Sequence, residues 1–284
     1  MKPCLIIGAG DIAQRILPLL KGEGSVFALC RTPENQGIWR SLGATPLMGD
    51  LDDPDSLRRL AGLAHTVLHF APPSTETRED HRTRHLINAL ARGRSLPQSL
   101  IYISTTGVYG SSGGNWLEES NPVRPQTLRA QRRVSAEHQL RAFGRRSGCR
   151  IVILRAPGIY AADRLPLDRL RRQDPLPQNS PWTNHIHAFD LARAAQRAIF
   201  LGLPQRLYNA VDDQPLPLDE FYQQLALHYQ LPLPPRLPLD QLIQQLNPFN
   251  LSFMMESRRI KNHRIKQELR LNWRYPDIGA FLKE

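Results

Sequence analysis

The residues best suited to chemistry begin at Gly8. Gly8-Ala9-Gly10-Asp11-Ile12-Ala13 is a G-x-G-x-x-A turn between the apolar run Cys4–Ile7 and a helix-like stretch. The first glycine permits a tight turn, the second lets the backbone approach a pyrophosphate, and Ala13 still allows close helix–strand packing. A helix N-terminus there adds free N–H groups and a positive dipole end, so Gly8, Gly10, Asp11, Ile12 and Ala13 form the expected phosphate cradle. Arg31 directly follows the next apolar run, Val26–Cys30, where a site for an unphosphorylated ribose would carry Asp or Glu. An arginine suits a 2′-phosphate, which favours NADP(H) over NAD(H); the plainer reading is a solvated arginine at a strand end. Asp50-Leu51 is expected to flank the adenine, and Ala71-Pro72-Pro73 to lie against the cofactor, because ligands of such sheets collect at the carboxyl ends of strands.

The elements that must position these residues alternate. Apolar runs at Cys4–Ile7, Val26–Cys30, Pro46–Met48, Thr66–Phe70, Leu100–Ser104 and Arg150–Leu154 read as strands. Helical patterns fall between them at about Ile12–Leu20, Pro54–Ala61, Glu76–Arg92 and Thr127–Phe143. Strands joined by helical crossovers imply an α/β fold with a doubly wound parallel Rossmann sheet. Beyond Ile159 the pattern loosens into a Pro-rich loop at Asp174–Pro181, then resumes with a helix at about Asp190–Leu201 and a strand at Leu207–Ala210. Short helices separated by prolines follow, at about Leu218–Tyr229, Leu239–Leu246 and Asn262–Leu269. The expected division is a dinucleotide-binding domain over 1–160, its sheet completed by about 185–211, and a small, mainly helical substrate lobe from 161–184 and 212–284.

Composition narrows the function classes. The chain of 284 residues carries 37 Lys+Arg against 26 Asp+Glu, a net charge of +11, which raises nucleic acid as a partner. No helix-turn-helix signal, zinc spacing or aromatic-basic platform accompanies the charge, so no specific nucleic-acid partner is expected. Only Lys2, Lys21, Lys261, Lys266 and Lys283 are lysines, and none lies between 22 and 260. Cys4, Cys30 and Cys149 have no metal or redox spacing and read as small buried hydrophobes. No run approaches the length of a membrane span or a signal peptide, so a cytoplasmic protein without a membrane partner is expected.

Several further segments occur in a telling order: Gly49-Asp50-Leu51, Leu68-His69-Phe70-Ala71, Tyr102-Ile103-Ser104-Thr105-Thr106-Gly107-Val108-Tyr109-Gly110, Leu154-Arg155-Ala156-Pro157-Gly158-Ile159-Tyr160, Asn184-His185-Ile186-His187-Ala188-Phe189-Asp190-Leu191-Ala192 and Tyr208-Asn209-Ala210-Val211-Asp212-Asp213. With the glycine turn, over nearly the whole chain, they resemble the NAD(P)-dependent epimerase/dehydratase family, the extended branch of the short-chain dehydrogenase/reductases. The resemblance implies a Rossmann domain, a small C-terminal lobe and a substrate between them, often a nucleotide-sugar. It implies that Thr105 hydrogen-bonds the substrate oxygen, with Thr106 beside it. It also implies a Tyr four residues before a Lys on the following helix, where the lysine lowers the phenol pKa and holds the nicotinamide ribose.

That pair is missing. Aligning the helix on Glu137 puts Arg129 and Arg133 at the two positions, and no Tyr-x-x-x-Lys occurs anywhere in the chain. An arginine is a poor proton shuttle because its pKa exceeds about 12. The stripe Ala136, Leu140, Phe143 extends back to Arg133 and Arg129, so both are expected to face inward toward an anion, Arg133 the cofactor and Arg129 the substrate; the alternative is that they are solvated or paired with Glu118 or Glu119. Substitute acids or bases are Tyr160, with Arg164 four residues on, then Asp163 and Tyr109, the last more readily a packing residue. Arg164 is a candidate for a substrate phosphate. His185 and His187 share one face of an extended segment without further metal ligands, so no metal site is expected, and Asn184 or His187 is the sharper choice for touching substrate.

The functional expectation is an NADP-dependent oxidoreductase, epimerase or dehydratase acting on a sugar-nucleotide-like or other anionic small substrate through a non-standard acid/base. The alternative is a catalytically inactive NADP(H)-binding sensor or partner-binding relative.

Overall fold

The computed structural model describes residues 2–22, 24–247, 251–252 and 254–284. Seven strands form one parallel sheet: β1 (Cys4–Ile7), β2 (Val26–Cys30), β3 (Thr45–Met48), β4 (Thr66–His69), β5 (Ser99–Thr105), β6 (Arg150–Ala156) and β7 (Arg206–Asn209), in the order β7-β6-β5-β4-β1-β2-β3. β1, β4 and β5 are buried or nearly so along their length, as continuous apolar runs covered on both faces should be. The strand order departs in opposite directions from β1, toward β2 and toward β4. The crevice at the carboxyl ends of these strands is therefore the switch point where such sheets bind ligands.

Helices cover both faces. Helix α1 (Asp11–Ile16) and helix α6 (Ala188–Leu201) pack on one, burying Ile12, Ile16, Leu191 and Ala195 against Ile6, Ala28 and Ile101. Helix α3 (His81–Ala91) and helix α4 (Leu128–Ser147) pack on the other, with Leu86, Leu90, Leu140 and Phe143 against Leu5, Ile7 and Ile153. A third apolar cluster, including Leu170, Leu176, Phe221, Leu225 and Ile278, lies around helix α7 (Leu218–His228).

Several elements depart from the sequence expectation, among them the helix α2 (Pro33–Ser41), which has no counterpart in it. The first helix is α-helical only to Ile16 and continues as a 3-10 turn over Leu17–Leu20, since Pro18 lacks an N–H and crowds the preceding turn. Pro54–Leu60 is a 3-10 helix throughout. The helix expected from Glu76 starts only at His81, because the Asp80 carboxylate accepts the Arg82 N–H and caps it there. The residues before it are held as loop by Arg132, whose guanidinium donates to the Thr75 and Thr77 carbonyls. Helix α4 runs past Phe143 to Ser147 and stops at Gly148, whose φ of 72° is the left-handed conformation a helix C-cap favours.

A buried polar network ties α4 to the sheet. Glu137 accepts two bonds from Arg155, at 3.0 and 2.7 Å, and one from the Ser104 hydroxyl at 2.6 Å. The Arg155 guanidinium lies over the Tyr109 ring, and the Tyr109 hydroxyl donates to Asn209. Every partner of this buried charge is itself held, as a charge taken out of water requires.

Candidate functional site

The glycine turn lies in the crevice between β1 and β4. Gly8 has φ +91°, and a Cβ there would come within 2.3 Å of the Ala71 backbone nitrogen. Gly10 differs: a Cβ on it would meet nothing within 4 Å and would project into open space. The N-terminus of α1 has no side-chain cap. Close approach on one side and an open, uncapped backbone on the other is the form of a phosphate cradle. A cleft of about 270 Å³ adjoins it, lined by Gly8, Gly10, Arg31, Asp50, Leu51, Ala71 and Pro72, and also by Asn35 and Arg82. These residues fit a dinucleotide. Arg31 is exposed at the end of β2 and makes no hydrogen bond with a described residue, whereas Arg82 is committed to Asp52 at 2.8 Å and to the Pro72 carbonyl at 3.2 Å. The hydrogen bonds from Arg82 hold the Asp52 carboxyl below its ordinary range. Ile12 and Ala13 are buried in helix packing, so their contribution to a ligand is through the backbone.

Asp11 has partners of its own. It accepts from Arg15 at 2.7 Å and from Arg164 at 2.6 Å, while Arg15 also pairs with Asp163 at 2.5 Å. Arg164 and Asp163, sought as substrate ligand and proton carrier, are thus latched to the start of α1.

A second cleft, of about 750 Å³, opens beside the carboxyl end of β5 and the start of α4, and brings together Thr105, Arg129 and Arg133. The Thr105 hydroxyl oxygen accepts the Gly107 N–H at 3.1 Å, leaving its hydrogen to donate elsewhere. Arg133 is half-buried and donates to the Ile103 carbonyl at 2.8 Å and the Tyr102 hydroxyl at 2.9 Å. Burial pushes that Tyr102 phenol up to about 12. Neither Arg129 nor Arg133 takes the suggested acidic partners: Glu118 pairs with Lys261 and Glu119 with Arg264. Arg129 is half-buried, and desolvation lowers its pKa from the usual arginine value.

A third cavity, of about 300 Å³, lies against α7 and shares Pro157 and Ile159 with the second. Thr106, Tyr160, Arg164 and Asn184 are among the residues that line it. Tyr160 is buried, its hydroxyl has no hydrogen-bond partner, and burial followed by the nearby Asp212 raises its pKa, so the phenol holds its proton. Asn184 spends its amide on the chain opposite, donating to the Arg258 carbonyl at 3.0 Å and accepting the Ile260 N–H at 2.9 Å. His187 is not among the residues that line this cavity. Its Nδ1 accepts the Phe189 N–H at 3.2 Å to cap α6, and its ring packs on Tyr275 and Phe281, outside the cavity lining. His185 stacks on Phe221 with ring centroids 4.0 Å apart, and burial lowers its pKa to about 3. Among the described residues no group of three or more His, Cys, Asp or Glu is arranged to hold a metal ion, and the three cysteines are buried and free.

The cavity also contains residues the sequence did not single out: Arg169, Glu256 and Arg258. Glu256 is buried, with Oε2 on Arg258 at 2.6 Å and Oε1 without a hydrogen-bond partner. No motif marks these positions. Glu256 and Arg258 arrive through the backbone pairing of Ser112 with Ser257 and of Trp116 with Arg259, across more than a hundred residues of sequence.

Among the described residues no helix is long and apolar enough to cross a membrane. Comparison with known proteins agrees with this architecture. A structure of a functionally unknown conserved protein from Silicibacter pomeroyi superposes with a TM-score of 0.81 at 27% identity, covering 100% of this chain and 97% of that one. The dTDP-glucose 4,6-dehydratase DesIV of Streptomyces venezuelae, solved as a double mutant with NAD bound, has the same fold, with a TM-score of 0.80 at 18% identity over 100% and 96% of the two chains. The mouse dTDP-D-glucose 4,6-dehydratase is 24% identical over 174 residues, 57% of this chain and 48% of its own. The chain spans less than half the length of the curated relatives it matches. The model of the NAD dependent epimerase/dehydratase family matches residues 4–210, the stretch from β1 through β7 that builds the sheet, the glycine cradle and the Thr105 cleft, and the chain belongs to that family.

Proposed function

We propose that this protein is a nicotinamide-dinucleotide-dependent oxidoreductase or epimerase that prefers NADP(H) and acts on a sugar-nucleotide-like or other anionic small substrate. The observation that carries the cofactor reading is the glycine cradle together with Arg31. A phosphate at the end of β2 meets an exposed guanidinium with no carboxylate bonded to it, whereas a bare ribose hydroxyl pair finds no Asp or Glu on that strand end. Residues 161–184 and 212–284 are read as the substrate lobe, and the cavity against α7 as the substrate site. Arg164, Arg169 and Arg258 there suit an anion, and Phe221 and Tyr222 supply apolar area.

When bound, the dinucleotide supplies the centre that accepts or returns two electrons from a substrate carbon. The chain's own part is positional and acid–base. Thr105, fixed by the Gly107 N–H, points its hydroxyl hydrogen at the substrate oxygen, and Arg133 and Arg129 hold a fixed positive field at the start of α4. Neither arginine moves a proton. The test is calorimetric titration with NADPH and NADH on the intact protein and on Arg31→Ala. NADPH is expected to bind at least tenfold more tightly, a difference of about 1.4 kcal/mol, and the substitution to remove most of it. Equal affinities for the two cofactors would remove the Arg31 argument.

A further inference from the structure

Resting on that reading, we propose that Glu256 is the proton-carrying residue of this site, taking the place of the absent phenol. Its carboxylate is buried, with a side-chain exposure of 5%. One oxygen is held by Arg258 at 2.6 Å; the other lies buried with no hydrogen-bond partner among the described residues, in a residue that lines the cavity. A buried carboxylate oxygen left unpaired is costly, and a donor brought to it offsets that cost.

Position links this carboxylate to the substrate oxygen. The point a Cβ on Gly107 would occupy is 3.4 Å from Thr105 Oγ1 and 3.9 Å from Glu256 Oε2. The hydroxyl and the carboxylate therefore flank one small space, kept open because residue 107 has no side chain. Other candidates are spoken for: Asp163 pairs with Arg15 at the surface, and Tyr160 keeps its proton among Asp212 and Asp190. A substrate secondary alcohol in the space beside Thr105 gives its O–H proton to the Glu256 carboxylate, whose Oε2 borders that space. Oxidised dinucleotide held at the Gly8–Gly10 cradle would supply the acceptor for the hydrogen and C–H electron pair that the alcohol carbon gives up as the C=O bond forms. In the reverse direction Glu256 returns the proton to the oxygen. Arg258 orients the carboxylate, and Arg129, whose charge also acts on it, adds to the field.

The test compares Glu256→Gln, Glu256→Asp and Gly107→Ala with the wild type. NADPH affinity is measured by calorimetry, and kcat and KM with UDP-glucose, UDP-N-acetylglucosamine and dTDP-glucose. Glu256→Gln is expected to lower kcat about 100-fold or more with KM changed only a few-fold, the range a lost general acid/base produces. NADPH affinity should stay within twofold of wild type and Glu256→Asp should recover part of kcat, neither of which a folding defect would give. Gly107→Ala meets only ordinary contacts, so it should fold, bind NADPH and lose turnover by filling the space. Glu256→Gln within threefold of wild-type kcat overturns the assignment. Wild-type protein that binds NADPH but turns over none of the three sugars overturns it as well. Failure of the wild type to bind either dinucleotide is a different result, which removes the cofactor reading itself.

Discussion

Two glycines of one turn should fail in opposite ways when given the same methyl group. At Gly8 an added Cβ would lie 2.3 Å from the Ala71 nitrogen and 2.6 Å from its Cα, and the backbone stands at φ +91°. Neither atom can swing aside, because Ala71 N–H is bonded to the Ile7 carbonyl at 3.1 Å. A left-handed non-glycine residue costs roughly 1–2 kcal/mol and overpacking roughly 1–3 kcal/mol, so Gly8→Ala should cost about 2–5 kcal/mol. At a few degrees per kcal/mol for a chain of this size, the melting temperature falls on the order of 5–15 °C. At Gly10 the same change meets nothing, from an extended backbone of φ −105°. Alanine is the poorer N-cap by about 0.5–1 kcal/mol, but it also restricts the unfolded chain by about 0.4–1 kcal/mol, so the two nearly cancel.

The functional consequence reverses the ranking. The Gly10 methyl enters the space where the cradle meets a pyrophosphate, so Gly10→Ala should keep the wild-type melting temperature while losing NADPH affinity by tenfold or more, about 1.4 kcal/mol. Differential scanning fluorimetry and calorimetric titration on the same preparations read both quantities. Gly10→Ala binding NADPH with wild-type affinity would refute the cradle. Gly8→Ala melting at the wild-type temperature would refute the packing argument.

Three other outcomes follow from buried charge. Glu137→Gln leaves Arg155 uncompensated beneath the Thr105 cleft and should lower stability by about 3–5 kcal/mol, read as a reduced urea midpoint. Burial holds His69 and His187 at about 4 and His185 at about 3, so between pH 6.5 and 4 the unfolded chain takes up protons that the folded chain refuses. Stability should fall as pH drops through that window, and His185→Phe should flatten the slope of the urea midpoint against pH. Asp212 has the opposite sign. Burial raises its carboxyl, and Oδ1 has no hydrogen-bond partner, so the folded chain keeps a proton that the unfolded chain releases above about pH 4. The stability tied to that proton is present below pH 4 and lost as pH rises, so Asp212→Asn should raise the melting temperature at pH 8 and leave it nearly unchanged at pH 4.

The parts of this molecule legible in the sequence are those whose cause is local. The Cys4–Ile7 run, the glycines after it and Arg31 after Val26–Cys30 each carry their reason within a few residues, and the sheet follows from their repetition. Helical period alone turned Arg129 and Arg133 toward the interior, and both are half-buried there. Their partners were not legible, because the Ile103 carbonyl and the Tyr102 hydroxyl belong to a strand 30 and 31 residues away. Boundaries failed where a side chain competes with the backbone, as Asp80 does in capping α3 and Arg132 in holding the loop before it. The cap that His187 makes was not legible either: alternation in an extended segment fixes the face a ring takes, and gives no sign that its Nδ1 will cap the next helix. Glu256 had no local signal at all, since only the pairing of its neighbours with Ser111 and Ser112 brings it to the cavity.

The exchange of lysine for arginine on α4 has a structural content beyond the loss of a shuttle. Arg133 reaches the carboxyl end of β5 with a fork of fixed donors, one nitrogen shared between a backbone carbonyl and a buried phenol. A guanidinium in that position keeps its charge across the working pH range, so it can set geometry and field but leaves every proton where it was. With Arg129 four residues earlier under the same limit, α4 supplies electrostatics only, and proton transfer has to come from an element facing it across the cleft. The second and third cavities meet at Pro157 and Ile159, and the chain around Glu256 closes the far side. In the proposed assignment the fixed charges stand on α4, and the proton carrier, Glu256, stands on the chain that lines the third cavity.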